Sequence, residues 1–139
     1  MIQIITGEKG KGKTKILLDK VAFDVQNAKG SIVYLDKNNK HMYELDRSIR
    51  LMNMNDYFVE NADEFIGFVM GVLSQNTDIE KIYFDSFLTV SFADSSNISA
   101  LVNKLDKISA NFKADFVISI SASKDTLPLD VQEFVTVAL

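Results

Sequence analysis

The chain has no cysteine, no tryptophan, one proline and one histidine among 139 residues. Without cysteine there is no disulfide framework, no thiolate zinc site and no cysteine nucleophile, and the composition leans toward an intracellular setting. His41 stands alone, with no acidic pair spaced around it, so neither a zinc site nor a catalytic triad is expected, and the residue reads as part of a surface loop. No apolar run approaches the roughly 18 residues of a membrane-spanning helix. Met1 leads directly into a strand-like Ile2-Gln3-Ile4-Ile5 and not into a signal-peptide layout, so a cytoplasmic protein without a membrane span is expected. The net charge of −4 argues against nonspecific adhesion to nucleic acid or anionic membrane as a property of the whole molecule. A hydrophobic content of 47% excludes a disordered chain and provides for one ordinary core.

Glycine is also scarce, yet three of the six glycines fall between residues 7 and 12, interleaved with lysine. The rest of the sequence alternates strand and helix signals with no repeat, low-complexity tract or linker, so residues 1–139 are expected to form one domain. Ile2, Ile4 and Ile5 mark a first strand. Leu17, Val21 and Val25 recur at helical spacing up to a stop at Lys29-Gly30, and residues 31–36, SIVYLD, read as a buried second strand. Residues 47–54, RSIRLMNM, hold a further short strand in the least regular part of the chain. Asn61 and Glu64 form a capping-box pattern ahead of Phe65, Phe68, Val69 and Val72. KIYFDSF, residues 81–87, reads as a strand ending in an acid; Ile98, Leu101, Val102, Leu105, Ile108 and Phe112 mark a third helix. ADFVISIS, residues 114–121, and EFVTVAL, residues 133–139, are the last two strands. Strands joined by helices imply an α/β fold of three layers, with a mostly parallel sheet covered on both faces.

The glycine-lysine stretch, Gly7-Glu8-Lys9-Gly10-Lys11-Gly12-Lys13-Thr14, is a full G-x-x-x-x-G-K-[ST] match between an expected strand and an expected helix. Side-chain-free positions let the backbone curl so that several N–H groups point at one anion, and the following helix adds its positive end. Residues 7–15 are therefore the candidate nucleotide-binding stretch. Lys13 is placed to reach the β and γ phosphates and Thr14 to ligate Mg2+. Lys9, Lys11 and Lys15 read as a solvated face that raises the local positive potential. A metal bridging phosphates calls for a carboxylate at the end of a neighbouring buried strand, and Asp85, closing IYFD, supplies it for direct or water-mediated binding.

These residues, together with SIVYLDKNN after the first helix, serine directly behind Asp85, and ADFVISISAS, resemble the RecA-like P-loop ATPases over most of residues 1–125. The resemblance implies RecA-like strand order, with another strand between the loop strand and the Asp85 strand, and it implies ATP and Mg2+ as ligands. It also implies that Ser121 or Ser123 senses the γ-phosphate. In ring-forming relatives an arginine reaches the γ-phosphate of a neighbouring subunit; Arg47 and Arg50, the only arginines here, are the nominees if this chain forms homo-oligomers, although ion pairing with Glu44 and Asp46 is the simpler expectation. Hydrolysing relatives carry a glutamate after the metal-site acid or after the second strand. Here Ser86 follows Asp85, and Asp36-Lys37-Asn38-Asn39 follows the second strand. Asn38 stands where the base is implied, and an amide cannot accept the proton as a carboxylate can. Asp36, Glu44 or Glu60 would have to substitute.

The leading expectation is an ATP-binding protein, a slow Mg-dependent ATPase at most, with a regulatory or assembly role and an unidentified protein partner. A small nucleotide or nucleoside kinase is the alternative, weakened by the lack of arginines in the second half of the chain. An interaction module that binds nucleotide without hydrolysis is the third. No N-K-x-D guanine-reading motif is present, which favours ATP.

Overall fold

The computed structural model describes residues 1–139 and contains one six-stranded sheet in the order β3-β2-β4-β5-β1-β6. The strands are β1 (Ile2–Thr6), β2 (Ser31–Asp36), β3 (Arg50–Asn53), β4 (Ile79–Phe84), β5 (Asp115–Ile120) and β6 (Val135–Ala138). Every pairing is parallel. The strand expected between the loop strand and the Asp85 strand is β5, so the RecA-like order is observed. Helices α1 (Lys13–Asn27), α2 (Ala62–Gln75) and α4 (Ile98–Phe112) match the three periodic segments. Two single-turn helices, α3 (Phe87–Val90) and α5 (Leu129–Gln132), were not legible as periodicity because four residues are too few to display it.

The two faces of the sheet carry unequal loads. On one, α2 and α4 cover a 26-residue cluster in which Phe65, Phe84, Phe87 and Phe116 meet edge to face at centroid distances of 5.3–6.3 Å. On the other, α1 covers a cluster of eight: Ile5, Leu17, Val21, Ile32, Tyr34, Ile49, Tyr83 and Val117. The period-two alternation of strands explains this division. Val33, Leu35, Phe84, Phe116 and Ile118 point to the larger cluster, whereas Tyr34, Tyr83 and Val117 point to α1. Continuing that alternation past the apolar residues puts Asp36, Asp85 and Ser119 on the α1 side as well.

The helix ends follow local chemistry. The Asn61 side chain accepts from the Glu64 amide at 2.9 Å, while the Glu64 carboxylate accepts from Glu60 N–H at 2.8 Å, one residue outside the usual reciprocal arm. KIYFDSF does not continue as a strand to its end. The strand stops at Phe84, and Ser86 turns the chain through a left-handed conformation, φ 56°, into α3. Entry to β2 is fixed by Gly30, whose N–H, with that of Lys29, donates to the Glu80 carboxylate at 2.8 and 3.0 Å.

Gly30 admits no side chain: a Cβ there would lie 2.0 Å from the carbonyl oxygen of Asp78. Gly71, exposed in the interior of α2, has open space around it. Gly30→Ala should therefore lower unfolding free energy by about 1–3 kcal/mol through backbone displacement. Gly71→Ala should raise it by about 0.5–1 kcal/mol. Urea unfolding of both variants against wild type checks the two opposite signs.

Candidate functional site

The C-terminal ends of β1, β4 and β5 open onto a cleft of about 600 Å3. Its lining includes Lys9, Gly10, Gly12, Lys13 and Thr14 from the loop after β1 and the start of α1. Gly10 and Gly12 have φ of 87° and 94°, a region costly for any residue with a Cβ, so glycine at these two places is what lets the loop wrap. Lys13 begins the helix, and the amides of its first turn have no carbonyl four residues back to receive them. Those donors and the helix dipole face the cleft as a positive edge.

Lys13 is buried, and its ammonium donates to the Glu8 carbonyl at 3.1 Å. Burial pulls its pKa below the ordinary lysine value, and attraction to Asp85 opposes the shift. It makes no salt bridge, so an anion entering the cleft would meet a cation with no ion-pair partner in contact.

Asp85 is the buried centre of the cleft floor. The Thr14 hydroxyl donates to it at 3.0 Å, the Tyr34 hydroxyl at 2.8 Å, the Ser119 hydroxyl at 2.9 Å and the Ser86 amide at 2.9 Å. Thr14 and Asp85, 71 residues apart in sequence, thus meet as the parallel sheet requires. Tyr34 and Ser119 have no counterpart in the sequence reading. The signal available for both was the strand alternation, which puts them on the α1 face; their place beside Asp85 comes from the strand order and register. Burial, together with the charge of Asp85, pushes the Tyr34 hydroxyl far above the usual tyrosine range and keeps it a donor.

The remaining candidates divide. Ser121 lines the cleft; Ser123 does not, its carbonyl accepting from the Thr126 hydroxyl at 2.7 Å. Gly7, Glu8, Lys11 and Lys15 lie outside the lining, and Lys15 pairs with Asp19 at 3.1 Å on an exposed face. Asn38 is also outside, its side-chain oxygen accepting from Lys40 N–H at 3.0 Å. Asp36 is buried beside Asp85 at adjoining strand ends and accepts from Lys37 N–H at 2.7 Å. Arg47 and Arg50 are exposed and away from the cleft. Glu44 bonds His41 at 2.9 Å. His41 itself, expected as a plain surface residue, joins Lys37 and Lys40 in forming a cleft wall.

Burial raises the Asp36 pKa above the ordinary aspartate value and the charge of Asp85 adds to it, with the Lys37 amide and His41 opposing. A carboxyl whose folded value is raised contributes stability below its unfolded value and loses it as pH climbs through the folded one. The ionised carboxylate is thus a cost that grows as pH rises through the folded value. Asp36→Asn should therefore melt above wild type at pH 7.5, with the gap narrowing toward pH 4. Thermal unfolding at the two pH values checks the sign; a lower melting temperature for the variant at pH 7.5 would contradict it.

No protein-family model and no curated protein matches the sequence. Among solved structures, the chain is similar to the flagellar accessory protein FlaH from Methanocaldococcus jannaschii, with a TM-score of 0.61 and 19% identity. The match covers 95% of this chain and 65% of that one, so the chain spans about two thirds of its neighbour's length. At that identity the likeness carries the fold: an all-parallel α/β sheet of RecA-like order, with helices on both faces. No helix is long and apolar enough to cross a membrane.

Proposed function

We propose that the cleft binds ATP with Mg2+ and that the protein is a nucleotide-dependent regulatory or assembly component with slow turnover. The observation that carries this reading is the convergence of Thr14 and Asp85 at the foot of a glycine-lysine loop. The loop amides and the first turn of α1 receive the phosphates, and Lys13 neutralises part of their charge. Hydroxyl and carboxylate oxygens suit a hard cation, and there is no cluster of three or more acidic, histidine or cysteine ligands. That sparse donor set fits Mg2+, which keeps water and shares phosphate oxygens instead of filling a protein cage. Thr14 and Asp85 would hold the ion, and its chemistry there would be to offset phosphate charge. Tyr34 and Ser119 keep the Asp85 carboxylate oriented toward Thr14.

Slow turnover follows from what faces the cleft. Asp85 is the one carboxylate in the lining and already accepts four hydrogen bonds. Asp36 is outside, Asn38 serves its own turn, and Glu44 is engaged with His41. No carboxylate is therefore free in the lining to take a proton from an attacking water, and the one imidazole there, His41, is tied to Glu44 in the far wall. The accessory role named for the structural neighbour is compatible with a protein whose output is a bound state.

Lys13→Ala should weaken MgATP binding by at least about tenfold, as expected when a hydrogen bond to a charged group is removed, with an unchanged circular dichroism spectrum. Equal affinity for both proteins would sink the site. Asp85→Asn should blunt the Mg2+ dependence of ATP affinity more than it lowers metal-free affinity; an unaltered dependence would return Asp85 to a purely structural role. Phosphate release from dilute protein should stay below roughly 1 s−1, the low end for ordinary enzymes. Brisk release would contradict slow turnover.

A further inference from the structure

Four lysines, Lys9, Lys13, Lys37 and Lys40, line the cleft against a single carboxylate, in a chain whose net charge is −4. None of the four forms a salt bridge, although acids outnumber bases in the sequence by 19 to 15. Cations without ion-pair partners that line one cleft raise its positive potential, which favours an arriving polyanion. Lys9 and Lys13 belong to the loop after β1. Lys37 and Lys40 come from a different segment, residues 37–41, which leaves the end of β2.

Sheet order assigns the two pairs different tasks. From β1 the sequence of strands runs through β5 and β4 to β2, so the segment after β2 stands across Asp85 from the glycine-lysine loop. A phosphate chain gripped by the loop amides and Lys13 extends toward Asp85, and what reaches the far wall is its terminal group. We propose that Lys37 and Lys40 are the residues that read the terminal phosphate, so that the cleft distinguishes a nucleoside triphosphate from a diphosphate within one chain. This rests on the nucleotide reading above and adds the specificity determinant to it. The charge that Arg47 or Arg50 of a neighbour would bring is then supplied in cis; both arginines are exposed and outside the lining. His41 stands in the same wall and bonds Glu44 at 2.9 Å.

Both lysines are exposed, so their replacement spares the core. The test is calorimetric titration of MgATP and MgADP into wild type, the double variant Lys37→Ala/Lys40→Ala, the double variant Lys37→Arg/Lys40→Arg, and Lys13→Ala. Wild type should favour MgATP. The alanine pair should lose at least about tenfold in MgATP affinity while MgADP affinity stays within about twofold, and the arginine pair should keep the wild-type preference. Lys13→Ala, in contrast, should weaken both nucleotides. An unchanged ratio of the two affinities in the alanine pair, or an equal loss for both nucleotides, overturns the terminal-phosphate role and leaves the nucleotide site standing. Failure of wild type to bind either nucleotide overturns the site itself and this inference with it.

Discussion

The carboxylate of Asp85 is the point on which the arrangement turns. It directly follows β4 and is held by Thr14 from α1, Tyr34 from β2 and Ser119 from β5, so one side chain ties a helix and two neighbouring strands to the end of a third. Hydrogen bonds to a charged group contribute about 1.5–3 kcal/mol each, more than the neutral bonds elsewhere in the sheet. A buried carboxylate without such partners would be prohibitive. No buried side-chain nitrogen or oxygen in the protein lacks a partner, so the polar knot is complete without any ligand. Completeness also fixes the start of α1: Thr14 cannot shift without withdrawing a donor from Asp85, and the loop before it is anchored in turn.

The far end of α1 is secured by a second polar contact on the same sheet face. Asp24 accepts from the Tyr83 hydroxyl and pairs with Lys81 at 2.8 Å. Tyr83 stacks on Tyr34 at a centroid distance of 6.1 Å, so the two tyrosines join the contacts at both ends of the helix across the smaller core. That core has eight buried residues against 26 on the other face, and polar ties flank it at both ends of α1. The helix that presents the glycine-lysine loop is thus held by directional bonds as much as by packing. Contacts at both ends of α1 hold the loop, Lys13 and Asp85 in register.

Much of this was legible in the sequence because apolar periodicity and a spaced glycine motif are local signals. All six strands, the three long helices and the strand order implied by the P-loop resemblance are observed. Single-turn helices α3 and α5 escaped because a four-residue segment has no measurable period. In the site, Thr14 and Asp85 were nameable from motif alone, whereas Tyr34 reads as one more apolar residue in SIVYLD; only register with β4 reveals its hydroxyl beside Asp85. Within residues 37–41 the resemblance singled out Asn38, and His41 read as a surface-loop residue, while Lys37 and Lys40 carried no signal. Their place in the cleft depends on β2 lying next to β4, a long-range fact that no window of sequence contains.

The central claim, that this cleft is built for a magnesium-bound nucleoside triphosphate, is tested most directly by a crystal structure determined with Mg2+ and a non-hydrolysable ATP analogue. The account predicts a triphosphate wrapped by residues 7–14, the ion beside the Thr14 hydroxyl on the Asp85 side, and the terminal phosphate against Lys37 and Lys40. Saturating analogue that leaves the cleft empty, or that binds at another surface, would contradict it.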